Sequence, residues 1–356
     1  MKQKSVLIGM SGGVDSSVAA ALLKEQGYHV IGATMRLWTY SDSCNMKHEG
    51  CCAESAVEDA RRVCDKLGID FYVMNFKDMF KDKVVDYFVD EYIHGRTPNP
   101  CIACNKYLKF DALLKKALAM GIDYVATGHY AKIEKGEDGK YILRASEAVK
   151  KDQSYVLYNF TQEQLAHTLM PLGGYNKDWV RQKAEELGLG VAHKPDSQEI
   201  CFVEDDDYAK FITDYSGYKP KEGDILDVNS NVIGKHRGLI YYTIGQRKGI
   251  GAYGRPMFVM KIDAENNTIT LGEKGMEFSN ELTAYDVNFV SGEFPKENML
   301  ITAKVRYQAP PAAAMLCPQK DGTVKLMFPE PQRAVTPGQA VVFYDGDIVL
   351  GGGTVL

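Results

Sequence analysis

Short apolar runs alternate with helix-like stretches along the first part of the chain. The apolar runs at residues 5–10, 29–38, 70–76 and 123–131 have the length of strands, and their continuous apolar character is typical of a parallel sheet covered on both faces. Between them lie stretches with helical spacing, the first of which ends at Gly27. The alternation predicts an α/β fold, with a Rossmann-like N-terminal domain in which helices cover both faces of a parallel sheet.

The pattern changes in the second half of the chain. Residues 161–190 still have the spacing of helices, whereas after Cys201 short alternating strands are separated by Gly, Pro, Asn and Asp. Residues 263–272, "DAENNTITLG", predict a hairpin, and residues 240–245, "IYYTIG", predict a short strand. We expect an α/β domain at 1–204, a small central α+β domain at 205–279 and an all-β, barrel-like domain at 280–356.

Composition narrows the class of protein. The chain has 356 residues and a net charge of −5, its hydrophobic (45%) and charged (25%) fractions are ordinary, and no apolar run approaches the length of a membrane span. The negative net charge argues against a protein surface that is basic overall and binds nucleic acid everywhere, but it is compatible with a local basic groove. The apolar stretch near the N-terminus is too short for the hydrophobic region of a signal peptide. We therefore expect a cytoplasmic protein whose eight cysteines are mostly reduced.

The turn between the first strand and the first helix carries the string "IGMSGGVDSS". Gly12 and Gly13 let backbone amides approach an anion closely, and Ser16 lies at the helix start, where the dipole favours phosphate. Asp15 is an acid in a place that attracts anions, which makes sense for a ligand of Mg²⁺. The string lacks the lysine of the G-x-x-x-x-G-K-[ST] loop. A plain glycine turn is the alternative interpretation.

The string "SGGVDSS" resembles the PP-loop of the ATP pyrophosphatase superfamily. The resemblance implies a Rossmann-like domain that cleaves ATP between its α and β phosphates, passes AMP to an oxygen of the substrate and releases pyrophosphate. Five further motifs narrow the choice of substrate that accepts AMP. They are "GRTPNPCIACNKYLKF", "TGHYA", "KKDQSYVLY", "DSQEICFV" and "GQRKGIG". With these motifs, nearly the whole chain is similar to the tRNA-specific 2-thiouridylase family of the MnmA type.

This resemblance implies a reaction and its partners. The C2 oxygen of the wobble uridine, position 34 of tRNAs of the Lys, Glu and Gln types, is adenylated with ATP and Mg²⁺ and then replaced by sulfur. A sulfurtransferase or a relay protein delivers the sulfur as a persulfide. Thiols suit this chemistry, because the thiolate is the reactive form and a persulfide ionises more readily still.

The resemblance also transfers roles to individual residues. Cys201 carries the persulfide, and Cys104 is the second thiol, which attacks it to release sulfide or to close a disulfide. The residues expected to bind ATP are Gly9, Met10, Ser11, Gly12, Gly13, Val14, Asp15, Ser16, Met35 and Gly128. The residues expected to contact tRNA are Asn99, Pro100, Cys101, His129, Lys151, Asp152, Gln153, Arg306, Tyr307 and Gln339. Of these, residues 99–101 match the contact to a uridine flipped out of its stack.

One position departs from the family pattern. Cys101 stands where much of the family has an aspartate, so the chain has no carboxylate at this place. The exchange creates a Cys-x-x-Cys pair, and with Cys201 the chain has three thiols of the kind that hold a [4Fe–4S] cluster with one open iron. Two mechanisms are therefore open: persulfide exchange by Cys104 and Cys201, or sulfide bound to such a cluster.

Other interpretations belong to different classes. "CNMKHEGCC" contains Cys44, His48, Cys51 and Cys52, which are zinc ligands by type, although their spacing fits no common finger. Another PP-loop synthetase, acting on a small molecule, would need neither paired thiols nor an RNA-binding β domain. A non-catalytic RNA-binding protein would have no reason to keep an intact "SGGVDS".

Overall fold

The N-terminal domain is built on a parallel sheet. The computed structural model describes residues 3–38, 54–196, 200–203 and 206–356, and within them this sheet has five strands. The strands are β1 Ser5–Gly9, β2 His29–Arg36, β3 Asp70–Asn75, β4 Tyr124–Ala126 and β7 Thr168–Leu169, in the order β3-β2-β1-β4-β7. The sheet and its helices confirm the predicted α/β fold.

Helices connect and cover these strands. They are α1 Val14–Glu25, α2 Glu54–Leu67, α3 Lys77–Phe80, α4 Tyr87–Ile93, α5 Pro100–Ala103, α6 Leu113–Ala119, α7 Gln162–Ala166 and α8 Lys177–Glu186. Wider π-helical turns, Lys81–Asp86 and Cys104–Ala112, join α3 to α4 and α5 to α6. The second of these turns makes residues 100–119 one continuous helical segment that begins at Pro100 and ends at Ala119.

Burial explains why β1 is the centre of the sheet. Leu7 packs into the hydrophobic cluster on one face, and Val6 and Ile8 pack into the cluster on the other face, as the two-residue period of a strand requires. Helix α1 is buried along most of its length because it consists largely of alanine, valine and leucine. Gly27, at φ 86°, follows its end as predicted.

One local prediction holds only in part, and another is wrong. The helical pattern at 161–190 is confirmed by α7 and α8 but is interrupted by β7, which pairs with β4, and by the turn that follows. Gly173 lies in that turn, where a Cβ atom would come within 2.1 Å of the Ala131 carbonyl oxygen, so this place requires glycine. Residues 240–245 form no strand; their first two residues belong to a short 3₁₀ turn, Leu239–Tyr241.

The central part of the chain begins with α9 Tyr208–Ser216, whose Ala209 and Ile212 pack into the hydrophobic core of the N-terminal domain. A four-stranded sheet follows within 206–356, a range described without a gap. Its strands are β8 Gly223–Leu226, β9 Val232–His236, β10 Met257–Asp263 and β11 Thr268–Glu273, in the order β10-β11-β8-β9. Strands β10 and β11 are antiparallel neighbours, which confirms the predicted hairpin.

The last strands close into a barrel. They are β12 Phe278–Phe289, β13 Met299–Lys304, β14 Ala312–Pro318, β15 Val324–Arg333, β16 Ala340–Asp345 and β17 Ile348–Val355, and pairing of β12 with both β15 and β17 completes the ring. A hairpin of the N-terminal domain, β5 Ala131–Lys135 and β6 Tyr141–Ala145, joins this sheet where Arg144 pairs with Ile348. Among the described residues, no helix is long and apolar enough to cross a membrane.

Candidate active site

The loop between β1 and α1 is shaped for an anion. Gly12 has a φ of 69°, and a Cβ atom there would lie 2.3 Å from the Ala56 carbonyl oxygen, so glycine is required. The Ser16 hydroxyl accepts a hydrogen bond from the Ser11 amide (3.2 Å), and the Ser17 hydroxyl donates one to the Gly13 carbonyl (2.8 Å). Gly13 is the N-cap and offers no side chain to the first turn of α1. The helix start therefore presents backbone amides beside a glycine-lined surface.

Neighbouring strands frame this loop. Gly9 is the last residue of β1, and the amide of the buried Met10 donates to the Ala33 carbonyl of β2 (2.8 Å). Met35 lies near the carboxyl end of the same strand. Val14, also buried, begins α1. Gly128, three residues after Val125 of β4, approaches the loop so closely that a Cβ atom would be 2.7 Å from the Ser16 amide nitrogen. The residues predicted to bind ATP thus surround one strand-to-helix turn.

Asp15 is held by two side chains from distant parts of the chain. The Tyr130 hydroxyl donates to its Oδ1 (2.7 Å), and the Lys177 ammonium donates to Oδ1 and Oδ2 (2.7 and 2.8 Å). Burial and the Asp15 carboxylate together raise the pKa of Tyr130 far above its usual range, so its hydroxyl keeps its proton. Both partners of Asp15 were missed by sequence reasoning.

A second carboxylate, Asp196, lies on the other side of Lys177. Its oxygens accept from Lys177 (2.7 Å), Lys151 (2.7 Å) and Arg181 (3.3 Å). Burial opposes ionisation of Asp196, but the hydrogen bonds from Lys151 and Lys177 outweigh it and hold the pKa of this carboxyl below its ordinary value. Lys177 and Arg181 stand four residues apart on α8, a spacing visible in the sequence, yet their anionic partners are not.

The predicted tRNA-contact loop, residues 151–153, makes hydrogen bonds within the protein. Asp152 accepts from the Ser146 amide (2.9 Å) and the Ser154 hydroxyl (2.7 Å). The Gln153 side-chain oxygen accepts from the Tyr130 amide (3.0 Å). The loop is therefore fastened to the same Tyr130 that reaches Asp15, and Lys151 completes its protein contacts through Asp196.

The helical segment at residues 100–119, which contains Cys101 and Cys104 and is called the cysteine helix below, starts at a well-formed cap. Asn99 is the N-cap of α5, where its side-chain oxygen accepts from the amides of Cys101 (3.1 Å) and Ile102 (3.4 Å), and Pro100 occupies the first turn. Cys101 is exposed, whereas Cys104, one turn later, is only 8% exposed. Cys101 is therefore accessible to solvent, whereas Cys104 is packed into the core.

The segment that contains Cys201 packs against that same core. Cys201 is exposed, but the adjacent Phe202 is buried against the rings of Phe80 (5.6 Å between centroids) and Phe88 (5.3 Å). Phe202 and Cys104 belong to one hydrophobic cluster. The segments that carry the two predicted catalytic cysteines are therefore packed on a shared core, although about a hundred residues separate them along the chain.

The three cysteines do not form a metal site in this arrangement. Among the described residues, which include Cys101, Cys104 and Cys201, no group of three or more His, Cys, Asp or Glu side chains is placed to hold a metal ion. The three thiols are therefore not grouped as ligands of a [4Fe–4S] cluster in the described structure. The predicted zinc ligands, Cys44, His48, Cys51 and Cys52, lie outside the described residues.

Asp15 is the residue that fits the predicted Mg²⁺. Its carboxylate is the kind of ligand that Mg²⁺ prefers, and this ion is usually held by one or two carboxylates together with substrate phosphates. Both oxygens of Asp15 accept from Lys177, so the lysine and a metal ion would share the same carboxylate.

The barrel meets the 151–153 loop at one junction. The Tyr307 hydroxyl donates to the Asp152 carbonyl (3.1 Å), and its ring packs edge-on against Tyr155. Burial raises the pKa of Tyr307, with smaller contributions from Asp152 and Cys101. Of the predicted tRNA contacts, Asp152 and Tyr307 are therefore brought together.

Arg306 and Gln339 connect protein segments. The Arg306 guanidinium donates to the Thr336 hydroxyl (2.8 Å) and to the carbonyls of Ile244 (3.3 Å) and Ala334, and burial lowers its pKa. The Gln339 amide donates to the Thr97 carbonyl (2.8 Å), just ahead of Asn99. These two side chains thus hold the barrel to the central region and to the entrance of the cysteine helix.

His129 packs against the cysteine helix. Its ring lies 5.8 Å from the ring of Phe110, and its Nδ1 atom is 2.7 Å from the Thr127 hydroxyl. Burial, with a contribution from Lys109, lowers the pKa of His129 well below its ordinary value, so the ring is neutral at pH 7. A neutral, packed imidazole is suited to a hydrogen bond or to stacking and not to an ion pair with phosphate.

Comparisons with known proteins cover the whole chain. Family models match in three consecutive parts: "tRNA methyl transferase HUP domain" at 4–205, "tRNA methyl transferase PRC-barrel domain" at 209–273 and "Aminomethyltransferase beta-barrel domain" at 279–355. A protein of Acetivibrio thermocellus named tRNA-specific 2-thiouridylase MnmA is 59% identical over 358 residues, covering 100% of both chains. A protein of the same name from Clostridioides difficile is 58% identical, covering 99% of this chain and 98% of its own.

Proposed function

The chain belongs to the family of tRNA-specific 2-thiouridylases, and from this premise we propose that it converts a uridine of tRNA to 2-thiouridine with ATP. The observation that carries the proposal is the arrangement around α1. There, glycine at 12 and at 128 lets the loop pack closely against Ala56 and lets residue 128 pack against the first turn of α1. A PP-loop offers the amides of such a helix start to a polyphosphate. The full-length similarity supports the acceptor, since the relatives are named for acting on tRNA.

The first half of the reaction is adenylation. The C2 oxygen of the uridine attacks the α-phosphorus of ATP, the bond to the bridging oxygen breaks, and pyrophosphate leaves from the start of α1. Residues 9–16, Met35 and Gly128 bind the nucleotide in this proposal. Mg²⁺ bound with ATP would neutralise phosphate charge, and Asp15 is the residue offered to it. The amides of α1 and the helix dipole stabilise charge on the departing pyrophosphate.

The second half is sulfur transfer. The outer sulfur of a Cys201 persulfide attacks C2, and AMP leaves with the former C2 oxygen. The Cys104 thiolate then attacks the Cys201 sulfur, which breaks the S–S bond, leaves sulfur on the base and closes a Cys104–Cys201 disulfide. A thiol reductant reopens it, and a sulfurtransferase or relay protein reloads Cys201. The exposure of Cys201 supports loading by a partner, and the shared core supports encounter with Cys104.

The finer assignments follow the same family pattern. We propose the wobble uridine, position 34 of tRNAs of the Lys, Glu and Gln types, as the target, and the cytoplasm as the place of action. Asn99, Pro100 and Cys101 would contact the target base, with residues 129, 151–153, 306, 307 and 339 along the tRNA. We propose domains at 1–204, 205–279 and 280–356.

The test is 2-thiouridine formation by protein purified without oxygen, before and after its iron is stripped. Unmodified tRNA, ATP, Mg²⁺, a sulfurtransferase loaded as its persulfide and a thiol reductant are supplied, and the nucleosides are measured by mass spectrometry after digestion. We expect ATP-dependent 2-thiouridine whether or not iron is present. Product that disappears with iron and returns on cluster reconstitution would refute the persulfide route, and absence of product under all conditions would refute the function.

A further inference from the structure

The barrel holds the peptide segment that enters the cysteine helix. The Thr97 amide donates to the Pro337 carbonyl (2.9 Å), and the Thr97 carbonyl accepts from the side-chain amide of Gln339 (2.8 Å). Both backbone polar groups of Thr97 are therefore bonded to one turn of the barrel, residues 336–339, which is called the barrel turn below. Thr97 lies two residues before Asn99, the N-cap of the cysteine helix.

The barrel turn is itself fixed to the barrel and packs closely against this segment. The Gly338 amide donates to the Val355 carbonyl of β17 (2.9 Å), and the hydroxyl of the buried Thr336 accepts from Arg306 (2.8 Å). A Cβ atom at Gly338 would lie 3.0 Å from the Thr97 amide nitrogen, whereas ordinary contacts begin at 3.4 Å. The position of Thr97 is therefore set by a well-bonded part of the barrel.

A second contact from the barrel lies beyond the two thiols along the chain. The Asp286 carboxylate of β12 accepts from the Lys106 ammonium of the cysteine helix (2.7 Å). Asp286 has a φ of 47°, a conformation that aspartate tolerates better than most residues, and the pairing of β12 with β17 shifts register between Tyr285 and Asn288. Bulges of this kind re-aim side chains, and this one lies where the barrel meets Lys106.

The two barrel contacts flank Cys101 and Cys104 along the chain. We propose that Gln339 and Asp286 are positioning residues for sulfur transfer, through which the barrel fixes the cysteine helix, and so the Cys104 thiol, relative to the bound base. Displacing a reacting group by about 1 Å costs about 100-fold in rate, so contacts that add little to stability can still matter for the reaction. The inference rests on the proposed function, because it names residues that act on the same site.

The test is single-turnover formation of 2-thiouridine by the full-length chain, loaded with persulfide and in saturating excess over unmodified tRNA, with ATP and Mg²⁺. Loss of a tRNA contact alone leaves this rate unchanged. We expect the rate to fall by about 3- to 10-fold in Gln339→Met, which loses a neutral hydrogen bond. It should fall by about two- to fivefold in Asp286→Asn, which loses a largely exposed ion pair but keeps a residue type that tolerates this backbone conformation.

Two matched controls accompany a third variant. Gly338→Ala presses a methyl group against the entering segment and should slow the reaction by about 5- to 20-fold. Gly346→Ala imposes a similar backbone strain on the barrel, at φ 59°, but its Cβ atom would meet nothing within 4 Å. Glu293→Gln is the control for Asp286→Asn, because it removes a different ion pair from the barrel to the N-terminal domain, the one with Lys140. Both controls should react like wild type.

The dissociation constant for tRNA, measured by fluorescence anisotropy, should stay within about twofold of wild type in Gly338→Ala and Asp286→Asn. Unchanged rates in Gln339→Met and Asp286→Asn, or equal losses in Gly346→Ala and Glu293→Gln, would overturn the inference. So would weaker tRNA binding with an unchanged rate in Gln339→Met, which is the signature of an RNA contact alone. A persulfide-loaded wild-type chain that forms no 2-thiouridine would instead overturn the proposed function.

Discussion

Gly128→Ala is a sharp test of the phosphate loop because it adds a single methyl group at a known place. A Cβ atom at residue 128 would lie 2.7 Å from the Ser16 amide nitrogen and 2.8 Å from the Asp15 carbonyl carbon. Ordinary contacts begin at 3.4 Å, so the first turn of α1 must retreat by 3.4 − 2.7 = 0.7 Å or Gly128 must move away. The neighbours are backbone atoms of a buried helix, which cannot turn aside as a flexible side chain would.

A displacement of this size should affect catalysis more than folding. Overpacking by one methyl group costs about 1–3 kcal/mol of stability, whereas misplacing reacting groups by about 1 Å costs about 100-fold in rate. We expect kcat/KM for ATP, measured by 2-thiouridine formation, to fall by about 30- to 100-fold. Urea unfolding at the same temperature measures the free energy of unfolding separately.

Gly190→Ala is the control for this experiment. Gly190 is exposed, its φ is not positive, and an added Cβ atom would meet nothing within 4 Å. It should leave both activity and stability close to wild type. If Gly128→Ala retained activity within about threefold of Gly190→Ala, Gly128 would not be pressed against a loop whose position matters.

Three further predictions concern other parts of the site. Cys201→Ser should reduce 2-thiouridine formation by more than about 10³-fold because the persulfide carrier is lost, whereas Cys317→Ser, on the barrel, should not; equal losses would contradict the assignment. Asn99→Ala should lower the free energy of unfolding by about 1 kcal/mol through loss of the α5 cap, and Asn99→Asp should keep it; if Asn99→Asp is stable but inactive, the amide has a role beyond capping. The pKa of His129 is lowered in the folded chain, so its contribution to stability is complete above pH 6.5 and declines as pH falls below that value, by at most about 1.4 kcal/mol per pH unit. In urea titrations, the free energy of unfolding of His129→Gln should therefore depend less on pH over that range than that of wild type. An equal pH dependence of the two proteins would count against a buried neutral ring.

Much of the N-terminal domain could be predicted because its signals are local. The apolar run at 5–10, the helix that ends at Gly27 and the glycine pair between them each lie within a few residues, and the structure forms β1, α1 and the loop there. The prediction failed at β7 because two residues of an edge strand carry no periodicity. Their structure depends on pairing with β4.

Several predicted tRNA contacts also have protein partners that were not expected. Gln339 donates to the Thr97 carbonyl, and Arg306 donates to three oxygen atoms of the central region and the barrel. Similarly, Asn99 caps α5. In a sequence, such side chains cannot be told from polar groups on the surface. Every residue type has a backbone carbonyl, so a hydrogen bond to the backbone is not indicated by the identity of the partner residue.

What the sequence determined by itself is the class of fold and the place of the glycine-rich loop, since spacing and residue type suffice for both. The catalytic roles of Cys104 and Cys201 stay a prediction from the family resemblance. Only the tertiary structure decided which charges surround that loop. Lys177 and Asp15 are 162 positions apart, and nothing near either residue marks it as the partner of the other. The reason is physical: a strand or helix follows from neighbours along the chain, whereas a shared carboxylate depends on how separate elements pack.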